Sequence, residues 1–419
     1  SHFEMEDLPT TWGGYDKMPP RAKYFAKSGK DYLGMTGKFH TMWGEFGGFK
    51  NPKALKYECA SMLTYGARCS VGDQAHPSAK MDLETYKMIG EAYNYVEKIE
   101  EFCYNTIETT RLGIMLPENL ENGAASYEGT VKMLLENQLD FDIVSENDDF
   151  SRFDTIILPD TVTIDERTAL KFENHIKAGG GLVFSGDSCL NDEKNQFLIT
   201  EIEFLGKSEF ECDYIKANSF INKNIVKSPV LCYRSANMIS AKDYEVLSEI
   251  YEPYFNRTYK KYCSHQNTPN KKEAASYPGA VIKGRVAYIS HKIFEMYHKY
   301  GAQFHRDYFI EILKLIYKNP VLNVKMPSAG RSRLAYQQNE NRYILHLLYG
   351  SPIQRGVASV IEDLPPIYDV SVEITIDKPI VSVKLMPQNM NLKFSINQNK
   401  LIFTVPKVEC HQLIVMECK

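Results

Sequence analysis

The chain has 419 residues, of which 43% are hydrophobic and 24% charged, ordinary values for a globular protein with two to four domains. Its 49 basic and 53 acidic residues give a net charge of −4, so no global field favours nucleic acid or an acidic membrane surface. The longer apolar runs are strand-sized, far shorter than the ~20 residues that a membrane helix requires. We therefore expect neither nucleic acid nor a membrane as a partner.

Nine cysteines are scattered along the chain, without a C-x-x-C pair or a tight Cys/His spacing. This pattern favours reduced, mostly buried thiols over a zinc site, so we expect no metal and no cofactor. Reduced thiols predict a cytoplasmic protein. The N-terminus carries no basic-plus-apolar signal. A periplasmic location stays open, because the chain starts with a pattern typical of the middle of a domain.

Residues 1–104 alternate short apolar runs with amphipathic stretches. Strands are predicted at 2–6, 32–35 and 66–74, and helices at 19–28, 52–64 and 83–102, the last with Asp82 as its N-cap. Such strand–loop–helix units are typical of a (β/α) barrel, whose closure takes eight strands. We interpret 1–104 as the C-terminal βα units of a barrel whose other strands lie upstream or in another chain.

Residues 105–320 change character and predict a second domain. Near-continuous apolar strands such as Arg111–Leu116 and Leu182–Gly186 alternate with helices such as Glu166–Ala178. This alternation is typical of a parallel, doubly wound sheet. The pattern is less legible after residue 210, where Val281–Ser290 predicts one further strand and Arg306–Lys318 an amphipathic helix.

From residue 321 to 419 the hydrophobic pattern has a period of two. Short strands such as Tyr343–Leu348 and Val370–Ile376 are separated by Pro, Asn and Asp turns. The pattern predicts an antiparallel β-sandwich.

The loop at 34–49 contains a carboxylate, a histidine, a tryptophan and five glycines. Loops at the carboxyl ends of barrel strands carry catalytic groups. The faces of a pyranose are apolar and its rim is made of hydroxyls, so tryptophan beside carboxylate and imidazole is typical of a sugar site. The loop therefore predicts carbohydrate as the substrate.

Hydrolysis of a glycosidic bond normally needs two carboxyl groups, one protonated and one ionised. Glu45 lies between glycines in this loop; the alternative is that it caps the following helix or pairs with a nearby lysine. Glu4 and Glu6 lie on one face of the first strand, so a paired site is geometrically allowed. The alternative is that Glu4 and Glu6 are simply solvated charges without a catalytic role.

Six further residues are candidate substrate-binding groups: His40, Trp43, Trp12, Asp73, Gln74 and His76. A glycine-flanked tryptophan can stack on a sugar ring, with buried packing as its alternative role. His40 can bind a hydroxyl or tune Glu45, or it can be structural. The cluster from Asp73 to His76 follows a strand. Its side chains can form hydrogen bonds to substrate, or they can serve only to cap backbone groups.

Two features of the second domain suggest other functions. Cys189 follows a strand, as does the nucleophile of a glutamine amidotransferase, but it lies several residues beyond the sharp turn that such a nucleophile occupies. The polar-aromatic patch Tyr251–Pro269 can cross a subunit boundary toward a neighbour's active site, or be a loop ordered by its own hydrogen bonds.

The chain resembles bacterial glycosidases related to glycoside hydrolase family 42, in particular the subgroup containing the family 151 α-L-fucosidases. The resemblance covers essentially the whole chain, and its motifs are 33–40, 43–49, 72–77, 251–269, 277–281 and 361–365. Residues 107–210 are similar to the β-galactosidase trimerisation domain, a flavodoxin-like module derived from the amidotransferase fold without its nucleophile. The resemblance implies a homotrimer, with the acid/base on an earlier barrel strand. The family 42 nucleophile position would fall near Leu33–Thr36, which holds no carboxylate, so Glu45 is carried over only as a candidate.

We therefore predict the C-terminal portion of an exo-acting glycosidase that removes fucose or a galactose-like sugar, with Glu45 or Glu6 as one carboxylate of the pair. The alternative is a non-catalytic oligomerisation or scaffold fragment. A third and weaker hypothesis is an amidotransferase-like enzyme that uses Cys189.

Overall fold

The computed structural model describes residues 2–191, 193 and 195–419. They form two compact units. The first contains the chain up to Thr110, the segment Leu134–Asp142 and everything from Pro320 onward, and the second contains Arg111–Met133 and Ile143–Asn319. Within the described residues, every helix is too short or too polar to cross a membrane.

The first unit begins with the predicted alternation of strands and helices. Its elements are β1 Phe3–Glu6, α1 Met18–Ala26, β2 Tyr32–Gly37, α2 Pro52–Thr64, β3 Arg68–Gly72, α3 Leu83–Ile99 and β4 Thr106–Glu108. Strands β1, β2 and β3 pair in parallel and in sequence order. The prediction that Asp82 caps α3 is confirmed, because its side chain accepts a hydrogen bond from the amide of Glu84.

The two faces of the β1–β3 sheet differ because side chains alternate along a strand. Met5 points to the helical side, where it packs with Met18 of α1 and Met62 of α2. Glu4 and Glu6, which flank Met5 in β1, lie on the opposite face and are exposed. The predicted alternation therefore leaves both carboxylates on the face that the helices do not cover.

The second unit contains a nine-stranded mixed sheet. Its elements are β5 Leu112–Met115, α4 Leu120–Leu135, β6 Asp142–Val144, β7 Thr155–Leu158, α5 Glu166–Lys177, β8 Gly181–Ser185, β9 Glu203–Lys207, β10 Asp213–Ala217, β11 Val230–Cys232, β12 Asn237–Ser240, β13 Glu245–Tyr251, β14 Pro278–Lys283, β15 Val286–Ile289, α6 Ile293–Tyr300 and α7 Gln303–Ile316. The strand order is β11-β10-β13-β14-β15-β8-β7-β5-β6, and β9 pairs separately with β12. A mixed α/β fold is confirmed.

The sheet is parallel only in part. Strands β5, β7, β8 and β15 pair in parallel, as their near-continuous apolar sequences predict. On the other side of β15, β14, β13, β10 and β11 join as antiparallel strands. The prediction of one strand over Val281–Ser290 is wrong, because the chain turns at Gly284 (φ +60°) to form the β14–β15 hairpin.

The C-terminal part of the first unit consists of antiparallel strands. They are β16 Leu322–Val324, β17 Gly330–Gln337, β18 Arg342–Tyr349, β19 Ile353–Arg355, β20 Ala358–Val360, β21 Ile367–Thr375, β22 Ile380–Met386, β23 Met390–Asn391, β24 Phe394–Asn397, β25 Lys400–Val408 and β26 His411–Cys418. Two sheets, β16-β21-β25-β24 and β23-β22-β26-β18-β17-β4, share an apolar core that includes Leu345, Val372 and Phe403. Strand β4 joins from far upstream, so the second sheet includes residues that precede the second unit.

Buried charges link the separate segments of the first unit. Lys23 of α1 lies 2.7 Å from Glu108 of β4 and 2.9 Å from Asp140, and Arg333 of β17 lies 2.7 Å from Glu108. Burial alone would raise the pKa of Glu108, but Arg333 and Lys23 lower it to about 2. Removing one member would leave an uncompensated buried charge, so the cluster fixes how these segments fit together.

Candidate active site

The three parallel strands end at one edge of their sheet, at Glu6, Gly37 and Gly72. Asp7 and Lys38 follow directly. The edge stays regular beyond the strands, since the amide of Lys38 donates to the carbonyl of Gly72 over 3.1 Å. This is where a barrel-type sheet presents its chemistry.

Glu6, like Asp73 directly after β3, is an exposed carboxylate at this edge of the sheet. Its side chain is exposed and makes no hydrogen bond or ion pair with any described residue. Glu4 lies on the same face two residues earlier, about 7 Å farther from the edge. It is 2.9 Å from the imidazole of His2, and both side chains are about half exposed.

Glu45 organises its own loop. One carboxylate oxygen accepts from the amides of His40 (3.1 Å) and Thr41 (2.9 Å), and the other accepts from the hydroxyl of Thr41 (2.7 Å). These bonds, with those from Thr41 the strongest, lower the pKa of Glu45. It therefore neither caps the next helix, which Asn51 caps, nor pairs with a lysine. A carboxylate with this many donors is held ionised and in place.

The two tryptophans meet although 30 residues separate them. The rings of Trp12 and Trp43 are 6.4 Å apart at 32°. Hydroxyls of Thr10 and Thr11 donate to the carbonyls of the 40–41 turn and hold the two loops together. Trp43 lies against the end of β3. A Cβ added to Gly72 would come within 2.6 Å of its indole. Both indoles remain half-buried, so each keeps part of its surface accessible.

A cleft of about 570 Å³ opens beside this loop. Its lining includes Lys38, Asp73, Gln74, His76 and, from α3, Tyr86. The side-chain amide of Gln74 donates to the backbone carbonyl of Glu45 over 3.1 Å. The imidazole Nδ1 of His76 and the hydroxyl of Ser78 share a hydrogen bond of 2.6 Å. The predicted cluster after β3 thus lines an open cleft.

The predicted site residues fall into three groups. Glu45, His40, Trp43 and Trp12 form one connected loop cluster, Asp73, Gln74 and His76 line the cleft, and Glu4 and Glu6 lie on the face of β1. Gln74 connects the first two groups through its bond to the loop.

Asp7 is a residue that sequence reasoning missed. It follows Glu6 directly but points into a small cavity that Tyr15, Thr36 and Glu58 also line. Burial raises its pKa to about 6, and one of its oxygens has no hydrogen-bond partner. Its position directly after β1 is the sequence feature that could have identified it as a candidate.

Below this cavity, Glu58 is neutralised by Lys50. The two side chains are 2.6 Å apart, and the hydroxyl of Thr36 donates to Glu58 over 2.6 Å. All three are buried, so this pair is structural support for the strand edge.

The two other sequence features lie in the second unit. Cys189 is fully buried at φ +63°, and burial raises the pKa of its thiol, which makes it a poor nucleophile. Within Tyr251–Pro269, Thr258 accepts and donates local bonds and Arg257 donates to the carbonyl of Gln266. Tyr254 and Tyr259 remain exposed on this patch.

Comparison with known proteins gives one family model and a set of solved structures. The model of the β-galactosidase trimerisation domain matches residues 127–206. No curated protein matches the sequence. The α-L-fucosidase isoenzyme 2 from Paenibacillus thiaminolyticus is 36% identical, with a TM-score of 0.94, and the match covers 100% of this chain and 65% of that one.

Two β-galactosidases are similar at the level of the fold. The enzyme from Bacillus circulans sp. alkalophilus is 10% identical with a TM-score of 0.66, covering 99% of this chain and 60% of that one. A family 42 enzyme from G. stearothermophilus is 13% identical with a TM-score of 0.65. This match covers 99% of this chain and 59% of that one. The chain thus spans about two thirds or less of the length of each of these proteins.

Fold and sequence together make this chain a relative of the glycoside hydrolases. More particularly, it is related to the family 42 and α-L-fucosidase group and carries the β-galactosidase trimerisation domain, as its motifs predicted.

Proposed function

We propose that this chain is the C-terminal part of an exo-acting glycosidase that hydrolyses terminal α-L-fucosides. The observation that carries the proposal is the 36% identity over the whole chain to a protein named as an α-L-fucosidase. Terminal galactosides are the second candidate substrate, favoured by the likeness of the fold to β-galactosidases.

Glu6 is our candidate for the ionised carboxylate of the catalytic pair. It ends a parallel strand at the sheet edge, on the face away from the helices, and its charge has no partner among the described residues. Glu45 is less suited, since donors occupy both of its oxygens. Glu4 lies two residues farther from the edge along β1 and is paired with His2.

The partner of Glu6 in hydrolysis is a second carboxyl group held protonated. Three strands do not close a barrel, so we assign this acid to a barrel strand that the present chain does not contain. A retaining reaction would then place the two groups about 5–5.5 Å apart, with Glu6 as the nucleophile.

The tryptophan pair and the adjoining cleft support sugar binding. A 6-deoxy sugar such as fucose has an apolar face extended by a methyl group, which suits stacking on Trp43 or Trp12. The polar lining of the cleft by Asp73, Gln74 and His76 supplies partners for hydroxyl groups.

We also propose that the protein assembles as a homotrimer, because it carries a trimerisation domain. The exposed patch at Tyr251–Pro269 would then face a neighbouring copy. Light scattering at micromolar concentration tests this assembly, and a monomer would contradict it.

Hydrolysis assays test the function. The polypeptide that joins this chain to a complete barrel is assayed on nitrophenyl α-L-fucoside and β-D-galactoside, beside the present chain alone. We expect turnover of the fucoside by the longer protein and not by this chain. A trimeric longer protein that turns over neither substrate would favour the scaffold function instead.

A further inference from the structure

Three buried side chains with metal-binding groups meet in the second unit: Asp213, Cys232 and His291. Their ligand atoms lie within 4.8 Å of one another, and all three residues are fully buried. Asp213 and Cys232 face each other across the antiparallel pair β10–β11, and His291 follows β15. The sequence contains no spacing motif for this group, because its first and last members are 78 positions apart.

A hydrogen bond between Asp213 and His291 accounts for part of this arrangement. The imidazole Nε2 of His291 lies 2.7 Å from Asp213 Oδ1, and the other oxygen of Asp213 accepts from the amide of Ala236 over 2.8 Å. This hydrogen bond does not account for two further groups. The Nδ1 atom of His291 is buried without a partner, and the sulfur of Cys232 has only a 4.0 Å contact with the carbonyl of Val230.

We propose that Asp213, Cys232 and His291 bind a divalent transition-metal ion, with Zn²⁺ as the expected occupant. Carboxylate oxygen, thiolate sulfur and imidazole nitrogen are the ligand types that zinc takes, at about 2.0–2.3 Å each. Ligand atoms that already lie within 4.8 Å need only side-chain adjustment to reach those distances.

The charges of such a site balance. Cys232 loses its thiol proton to solvent on binding, so a carboxylate and a thiolate together neutralise the divalent ion, and His291 binds as the neutral imidazole. A neutral cluster avoids the large cost of an isolated buried charge.

His305 is our candidate for the fourth ligand; its ring nitrogens lie outside the group within 4.8 Å, so its side chain has to move toward the other three. It is buried, its Nδ1 also has no partner, and its Nε2 lies 3.3 Å from the carbonyl of Leu231, the residue before Cys232. A closed site of this kind is typical of structural zinc, so we expect the ion to fix β10 and β11 against the turn after β15.

The site is tested with the purified protein, dialysed against chelator and then titrated with Zn²⁺ and with Co²⁺. We expect about one ion per chain by elemental analysis. Co²⁺ should produce an intense near-ultraviolet thiolate-to-metal band together with visible bands of tetrahedral Co²⁺. Bound Zn²⁺ should also raise the thermal midpoint of unfolding.

Cys232→Ser is the main variant and Cys212→Ser its matched control, since Cys212 is an adjacent half-buried thiol outside the cluster. Cys232→Ser should remove the charge-transfer band and weaken binding at least about tenfold, while the control binds as the parent does. His305→Gln should weaken binding and keep the thiolate band.

Two results would overturn the site. One is less than about a tenth of an ion per chain after reconstitution of folded parent protein; the other is a Co²⁺ thiolate band that persists in Cys232→Ser. If Cys232→Ser does not fold, the band and stoichiometry of the parent alone decide the question.

Discussion

The carboxylate of Glu45 accepts hydrogen bonds from both the amide and the hydroxyl of Thr41, four residues earlier in the same loop. The most conspicuous acid in the sequence is therefore occupied in holding the turn that carries Trp43. This relationship separates the residues that shape the proposed sugar site from Glu6, the residue that we expect to react.

Replacing Glu45 by Gln should loosen the loop without abolishing hydrolysis. The variant should lower the free energy of unfolding by about 0.5–1 kcal/mol, because charge-assisted hydrogen bonds within the loop are lost at a partly exposed site. In the longer enzyme, kcat should fall less than about tenfold. A loss near a thousandfold would instead make Glu45 a catalytic carboxylate.

The same variant has a pH signature. The pKa of Glu45 is lowered in the folded protein, so its stabilising contribution is present above the unfolded pKa and is lost as the pH falls through the folded pKa. Urea unfolding at pH 7 and pH 3 should show a smaller difference between parent and variant at pH 3. Glu91→Gln, at an exposed position on α3, is the control. It should change the free energy of unfolding at neither pH.

Gly72→Ala should displace Trp43. The added Cβ would come 2.6 Å from the indole, whereas Ala at Gly90 of α3 meets nothing within 4 Å. We expect Gly72→Ala to destabilise the protein by about 1–3 kcal/mol and to lower kcat/KM of the longer enzyme about 10- to 100-fold. Gly90→Ala should stabilise the helix by up to about 1 kcal/mol. Equal kcat/KM for the two variants would exclude Trp43 from substrate binding.

Asp7→Asn should stabilise the protein at neutral pH. Burial raises the folded-state pKa of Asp7 to about 6, so the folded state binds the proton more tightly and stability falls as the pH rises from about 4 to 6. Removing the charge should add about 1–3 kcal/mol at pH 7 and little at pH 4. Unfolding curves at both pH values measure this.

The exposed Asp31→Asn is the control for Asp7 and should show no such pH-dependent gain. A variant of Asp7 that is less stable at pH 7 than the parent would mean that the ionised carboxylate is stabilised in the cavity.

Local sequence patterns predicted the local elements of this protein well. Asp82 caps α3 as expected, and the apolar runs at β5, β7 and β8 form the parallel part of the large sheet. These features depend on neighbours within a few residues, so periodicity and capping preferences are sufficient to find them.

Features made by distant segments were not predictable in this way. Strand β4 pairs with β17, and Lys23 meets Glu108 and Asp140 only after the chain has folded. The same holds for the site: the approach of Trp12 to Trp43 and the burial of Asp7 depend on tertiary contacts, which no spacing in the sequence encodes.

Trapping a covalent glycosyl intermediate determines whether Glu6 is the nucleophilic carboxylate of the proposed glycosidase. The longer enzyme is inactivated with an activated 2-deoxy-2-fluoro derivative of the sugar that it hydrolyses, and the labelled peptide is identified by mass spectrometry. We predict a single adduct on Glu6, absent from Glu6→Gln and retained by Glu4→Gln. An adduct on Glu45, or on any other carboxylate, would contradict the assignment.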